Sequence, residues 1–157
     1  MKKKVLIWFV PGMILLLFWF SLSGPLFHDP TSTVLLDNEG QLLGAKIAND
    51  HQWRFPESER VPEKVSQAII HFEDRKFRYH PGFNPIALIR ALYLNNKKHK
   101  IVSGGSTITM QLIRLSRKNK PRTYYEKFIE LILAFRLELT HSKADILRLY
   151  ASHAPFG

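Results

Sequence analysis

The sequence predicts a mainly α-helical globular part, preceded by an apolar N-terminal segment and a small β element. Three observations carry this. An uncharged apolar run extends from Val5 to Leu22. Two strand-like stretches flank an Asn38-Glu39-Gly40 turn signal between Thr31 and Pro56. After Pro62 the apolar residues recur at helical spacing behind helix-starting residues.

Taken in order, Lys2, Lys3 and Lys4 precede the apolar run. The run is about the length needed to cross a bilayer, and positive charge before it keeps residues 1–4 in the cytoplasm and sends the remainder outside. Trp8 and Trp19 lie towards its two ends, as interfacial aromatics do, and a membrane tolerates the kink expected at Pro11-Gly12. Residues 5–27 are therefore read as an uncleaved signal anchor. The competing reading is a cleaved signal peptide with a small-residue site at Ser21-Leu22-Ser23, against which the length of the apolar run counts.

Residues 31–60 form the expected β linker. Thr33–Asp37 and Gln41–Ala48 are the arms of a hairpin, and Trp53-Arg54-Phe55 is a further extended piece. Residues 61–157 are the helical part. Glu63–Phe72 places Val65, Ala68, Ile69 and Phe72 on one face. Asn84-Pro85 is an N-cap followed by a first-turn proline, opening a helix through Asn95. Ser106 or Thr107 caps the next helix, which runs to about Lys118. Pro121 begins a long helix to about Thr140 with Phe128, Leu131, Ile132, Phe135 and Leu139 as its buried stripe. Ser142 caps a last helix containing Asp145, Ile146, Leu149 and Tyr150.

At 157 residues there is room for one domain beyond the anchor. Without cysteine, disulfides and thiolate metal sites are excluded. The formal net charge is +10, and from Lys97 to Lys127 nine basic residues face one acid, Glu126. That run brackets Gly104-Gly105, so it reads either as solvated surface or as attraction to anionic headgroups or a diphosphate. Nucleic acid is disfavoured as a partner because this region falls outside the cell membrane.

Glu73 ends the apolar run Ile69-Ile70-His71-Phe72, where partial burial would make it a base; the plainer reading is an exposed helix-end acid paired with Arg75 or Lys76. Gly104-Gly105 lets backbone approach a ligand, and the following helix points free N–H groups towards it. Along that helix Thr107, Gln111 and Arg114 share a face, a set suited to gripping diphosphate or sugar, unless the stretch is simply a turn and a cap. No Gly-Lys-Ser/Thr follows the glycines, so this is not a P-loop. Lys127 and Glu130, three apart, are either a surface ion pair or a cation aimed at phosphate beside a second carboxylate near Glu73. No second histidine stands at metal spacing from His80.

In these residues the chain resembles the glycosyltransferase (transglycosylase) domain of class A penicillin-binding proteins, glycosyltransferase family 51. The family's Glu-Asp-x-x-Phe-x-x-His-x-Gly is matched by Glu73, Asp74, Phe77, His80 and Gly82. Gly-x-Ser-Thr-x-Thr-x-Gln is matched by Gly104, Ser106, Thr107, Thr109 and Gln111. The helical Arg-Lys-x-x-Glu motif is matched by Lys127 and Glu130, with Glu126 in the first place. Leu-Tyr-x-Asn before a glycine is matched by Leu149-Tyr150-Ala151-Ser152 and Pro155-Phe156-Gly157. Leu36–Leu43, Gln52-Trp53-Arg54 and Ala154–Gly157 are most similar to the 1C branch. Met110 stands where many members have a second glutamine, and Ser152 where asparagine is usual.

The resemblance implies a lysozyme-like fold that polymerises lipid II in bacterial cell wall synthesis. Glu73 would be the general base, and Glu130 would assist catalysis directly or through a divalent cation, Mg2+ or Mn2+, with no cofactor obligatory. Asp74, Phe77, His80, Gly104, Ser106, Thr107, Gln111, Arg114 and Lys127 would bind lipid II and the undecaprenyl-diphosphate-linked glycan. The site would lie outside the inner (cytoplasmic) membrane, held by a single span, with other cell wall synthesis proteins as partners. The family continues beyond the point matching Gly157, into further helices and a serine transpeptidase domain. The chain therefore reads as the first part of the domain, with the Ile146, Leu149 and Tyr150 face partly uncovered. A non-catalytic, membrane-anchored remnant and a lysozyme-like hydrolase are the alternatives.

Overall fold

The computed structural model describes residues 11–13, 15–22, 24–55 and 60–154. The expected cytoplasmic tail (1–4), part of the expected anchor (5–10, 14 and 23) and the end of the fourth motif, Pro155-Phe156-Gly157, thus lie outside the described residues. Backbone at 11–13 and 15–20 is helical, but among the described residues no helix is long and apolar enough to cross a membrane.

The hairpin forms as the turn signal predicts. Strand β1 (Thr33–Leu36) pairs antiparallel with β2 (Leu42–Lys46), with Thr33 opposite Lys46 and a register shift between Leu35 and Leu36. The Asp37 carboxylate closes the turn by accepting from the backbone N–H groups of Glu39 (2.9 Å) and Gln41 (2.7 Å), an Asx-type use of a short acid. Trp53-Arg54-Phe55, expected as a further extended piece, forms no strand. It runs beside the start of β1, where Ser32 N–H donates to the Arg54 carbonyl at 2.7 Å.

Five helices follow: α1 (Glu63–Glu73), α2 (Pro85–Lys98), α3 (Ile108–Ser116), α4 (Tyr124–Glu138) and α5 (Lys143–His153), with a 3-10 turn at Phe77–Tyr79 between the first two. Their starts are local side-chain events. Asn84 accepts from Ala87 N–H, Thr107 from Met110 N–H, and Thr123 from Glu126 N–H. Ser142 and Asp145 form a reciprocal capping box. The cap of α3 is thus Thr107, leaving Ser106 free for another role, and α4 begins at Tyr124, three residues after Pro121.

The short helix α3 is the centre of the molecule. Ile108, Met110, Leu112 and Ile113 are all fully buried and pack with Ile69, Phe77, Leu133, Ala134, Leu137, Ile146 and Leu147. Helices α4 and α5 both lie against it. On the α5 face expected to be partly uncovered, Ile146 and Tyr150 are buried and Leu149 is half-buried.

Two expected faces are rotated. On α1 the inward residues are Ser66 and Ile69, while Val65, Ala68 and Phe72 are exposed, Phe72 at 86%. On α4 they are Glu130, Leu133, Ala134, Arg136 and Leu137, while Phe128, Phe135 and Leu139 are exposed. Apolar residues surround both helices, so periodicity alone leaves the face open, and close packing selects the small Ser66 and Ala134. Buried Arg136 has a definite task. Its guanidinium donates twice to the Trp19 carbonyl oxygen (2.8 and 3.1 Å) and stacks over the Trp19 ring at 4.5 Å. It thereby satisfies a free carbonyl at the end of the N-terminal helix and fixes that helix to α4.

Candidate active site

Helix α1 ends between two carboxylates that face opposite ways. Asp74 leaves helical geometry (φ −159°, ψ 82°). Its buried Oδ2 lies 2.8 Å from His80 Nε2 and accepts from Ile108 N–H at 3.2 Å. A carboxylate at the start of α3 is favoured there by the unpaired N–H groups. Glu73, one residue earlier, is exposed, and its Oε2 accepts from Gln111 Nε2 at 2.8 Å. The partial burial expected for Glu73 is absent, because the apolar side chain before it, Phe72, points into solvent.

Four residues expected against substrate instead form the support beneath Glu73. Asp74 and His80 hold each other, and Phe77 is sealed in the core with Lys143 Nζ 4.5 Å above its ring. Thr107 Oγ1 donates to the Gly82 carbonyl at 2.6 Å. Lys143 Nζ also donates to the His80 carbonyl and to Glu138 Oε1, each at 2.7 Å, and Glu138 Oε1 accepts from Thr109 at 2.7 Å. The 74–82 loop is thus tied to the start of α3 and to the α4–α5 junction.

The glycine turn divides its labour. Gly105 lies against α2, where an added Cβ would stand 3.1 Å from the Ala87 carbonyl oxygen, whereas Gly104 faces open space. Gly105 thus serves close packing, and Gly104 is the one open to a ligand. Asn95, at the end of the helix expected from the sequence, proves to be the clamp of this loop. Its Oδ1 accepts from Val102 N–H (2.8 Å) and Ser103 N–H (2.9 Å), and its Nδ2 donates to the Ser103 carbonyl (3.0 Å).

Across from the turn, Lys127 Nζ donates to Ser106 Oγ at 2.8 Å and to Glu130 Oε2 at 2.9 Å. Glu130 is buried whereas the Lys127 side chain is one-third exposed, so the carboxylate holds the cation from below and leaves its head within reach of solvent. Glu126, the acid in the first place of the motif, is paired with Arg117 at 2.6 Å. Glu130 is engaged by Lys127, and among the described residues no group of three His, Cys, Asp or Glu could hold a metal ion. The described side chains do not make a cage for Mg2+ or Mn2+.

Gln111 lies one turn into α3 with both ends of its amide in use. Nε2 faces Glu73, and Oε1 accepts from the Tyr150 hydroxyl at 3.3 Å. Burial pushes the Tyr150 pKa up to about 12, the negative charge of Glu73 adds to this, and Arg114 opposes it. Tyr150, Glu73 and half-buried Arg114 therefore share one electrostatic neighbourhood. The sequence reading placed Tyr150 only in a motif and a packing face. The signal that identifies it is a phenol within an Ile/Leu stripe, because a buried hydroxyl needs a partner.

The sequence of this mainly helical domain matches a known class. The family model for Transglycosylase covers residues 39–157. The chain is 38% identical to penicillin-binding protein 1C of Escherichia coli (strain K12) over 134 residues, 85% of this chain and 17% of that protein. It is 36% identical to penicillin-binding protein 1A of Aquifex aeolicus (strain VF5) over 129 residues, 82% of this chain and 17% of that protein. With the biosynthetic peptidoglycan transglycosylase of Janthinobacterium sp. (strain Marseille) it shares 32% identity over 164 aligned positions, 99% of this chain and 70% of that protein. The chain belongs to the transglycosylase family. It spans under a fifth of the length of the two penicillin-binding proteins and most of the length of the third relative.

Proposed function

We propose that this chain is a peptidoglycan glycosyltransferase that polymerises lipid II into β-1,4 glycan strands on a lysozyme-like scaffold. The observation that carries the reading is the arrangement around α3. An exposed carboxylate, Glu73, is oriented by Gln111 on the helix whose entering turn carries Ser106, and Ser106 is bonded to the cation Lys127. A base and an anion grip are thus built on one short rigid element.

In this reaction Glu73 takes the proton from the 4-hydroxyl of the acceptor sugar. The oxygen attacks the anomeric carbon of the undecaprenyl-diphosphate-linked chain from the face opposite the diphosphate, the bond to the diphosphate breaks, and configuration inverts. Negative charge develops on the departing diphosphate, where Lys127 and Arg114 stabilise it and Gly104 leaves backbone accessible. Glu130 holds Lys127 in place.

Residues 5–27 act as the anchor, holding the site at the outer face of the cytoplasmic membrane. Leu15, Leu16, Leu17, Trp19 and Phe20 expose apolar side chains, and α2 adds exposed Ile86, Ile89, Leu92 and Tyr93 ahead of Lys97 and Lys98. Apolar surface beside basic residues suits a membrane interface.

The test is incubation of the purified full chain in detergent with labelled lipid II, resolving products by gel. Glycan ladders that Glu73→Gln abolishes support the proposal. Binding without extension would mark a non-catalytic remnant, and shortening of finished glycan a hydrolase; either outcome sinks it.

A further inference from the structure

We infer that Tyr150 is a positioning residue for Glu73: its hydroxyl fixes the orientation of the Gln111 amide, and the amide fixes the carboxylate. The inference rests on the base assignment proposed above. A glutamine amide is nearly symmetric in shape, so packing alone does not decide which end faces a neighbour. Turned the wrong way, Gln111 would present a carbonyl oxygen to the Glu73 carboxylate, acceptor against acceptor. The acceptor-only carboxylate of Glu73 settles which end it meets, Nε2 donating to its Oε2 at 2.8 Å, and the Tyr150 hydroxyl, donating to Oε1 at 3.3 Å, holds the far end of the amide so that it keeps that orientation.

The three groups come from three helices, α1, α3 and α5. Tyr150 is 4% exposed, and its ring belongs to the core cluster. The phenol is therefore held by packing, the amide by the phenol, and the exposed carboxylate by the amide. With its pKa pushed up to about 12, the phenol remains a donor throughout the physiological range. The hydroxyl contact of 3.3 Å is long, as hydrogen bonds around a catalytic group often are before substrate is bound. A single fixed oxygen leaves Oε1 of Glu73 for the acceptor hydroxyl.

The test uses the full chain, 15N-labelled, in detergent micelles. The Gln111 side-chain amide signal is assigned by its loss in Gln111→Leu and then followed in Tyr150→Phe, which keeps the ring and removes the oxygen. Its shift towards the free-glutamine position is expected. Lipid II turnover should fall about five-fold in kcat, the effect of one neutral hydrogen bond, with KM changed less than about two-fold. Adding Tyr150→Phe to Gln111→Leu should cost nothing further, since the phenol acts through the amide.

An unmoved Gln111 signal, or full additivity of the two substitutions, overturns the inference, and the signal decides even if no turnover is measured. If Tyr150→Phe does not fold, Gln111→Leu reads the same contact from the other end: the 13Cζ resonance of Tyr150 should move, and constancy refutes the contact. The two proposals fail separately. Parent-level polymerisation by Glu73→Gln removes the base assignment, whereas an inactive Glu73→Gln beside a Tyr150→Phe of parent kcat removes only the role of Tyr150.

Discussion

The Thr107 hydroxyl donates to the Gly82 carbonyl oxygen across 2.6 Å while its own oxygen accepts from Met110 N–H at 3.1 Å. One side chain thus closes the N-terminus of α3 and fastens it to the loop that follows α1. Asp74 grips the same helix end through Ile108 N–H. Because Glu73 adjoins Asp74 and Gln111 lies one turn into α3, this buried knot sets where the Glu73 carboxylate and the Gln111 amide meet. Its residues are buried, and they fix distance.

Gly82 is the least replaceable part of the knot. It sits at φ +87°, and an added Cβ would stand 2.6 Å from the Ala134 carbonyl oxygen of α4, a backbone atom unable to move aside. Gly82→Ala therefore combines left-handed strain with overpacking, an expected loss of about 2–4 kcal/mol. Chemical denaturation measures it; a loss below about 1 kcal/mol would show that the loop relaxes freely.

The anion grip proposed for Lys127 would join stability to binding. Lys127→Met leaves the buried Glu130 carboxylate without its ammonium and should cost about 2 kcal/mol. Glycan formation should fall about 100-fold, as when a donor to developing negative charge is removed. Adding Glu130→Gln should restore most of the stability but not the activity, because the buried charge is gone and the cation still missing. Thermal unfolding and lipid II turnover, measured together, separate the two effects. Recovery of activity in the double variant would rule out Lys127 as the anion grip.

How much was legible in the sequence follows from how locally each feature is determined. Asn84, Ser142 and the Asp37–Gly40 turn act on backbone within four residues, and each does as its sequence predicts. Exposure of Phe72 and burial of Ser66 are settled by partners far along the chain, so the periodicity of α1 could not choose its face. The same holds for the site. Glu73, Lys127 and Ser106 are recognisable by chemistry, but neighbouring Asp74 has the same functional group and turns inward, because the end of α3 lies on that side. Tyr150 becomes visible only once α5 is packed beside α3.

The capping box of α5 supplies a purely local test. Ser142 accepts from Asp145 N–H, and Asp145 Oδ2 accepts from the Ser142 hydroxyl at 2.6 Å and its N–H at 3.2 Å. These bonds to Ser142 hold the Asp145 carboxyl below its usual range. Ser142→Ala should cost about 1 kcal/mol. A depressed folded pKa adds stability above the unfolded value that fades as pH falls through the folded one. The difference between parent and variant should therefore shrink under acid, seen by unfolding at neutral pH and near pH 3; a constant difference would detach Asp145 from the cap.

Tyr150 carries the opposite pH sign. Its folded pKa is about 12 against an ordinary value of 10.0, raised first by burial and then by the charge of Glu73. Folding thus favours the neutral phenol. The associated stability is fully present below pH 10, declines as pH rises, and is lost through pH 12. A rise from 10.0 to about 12 corresponds to at most about 2.7 kcal/mol. The informative quantity is the parent's stability minus that of Tyr150→Phe, in which contributions common to both proteins cancel. This difference should be level from pH 7 to 9 and then fall towards pH 12. Glu73→Gln should delay the onset of ionisation less than the parent does, since one source of the raised pKa is then removed. A flat difference up to pH 12 would mean that the phenol is not held neutral by the fold, and an unchanged onset in Glu73→Gln would show that Tyr150 does not feel the Glu73 charge.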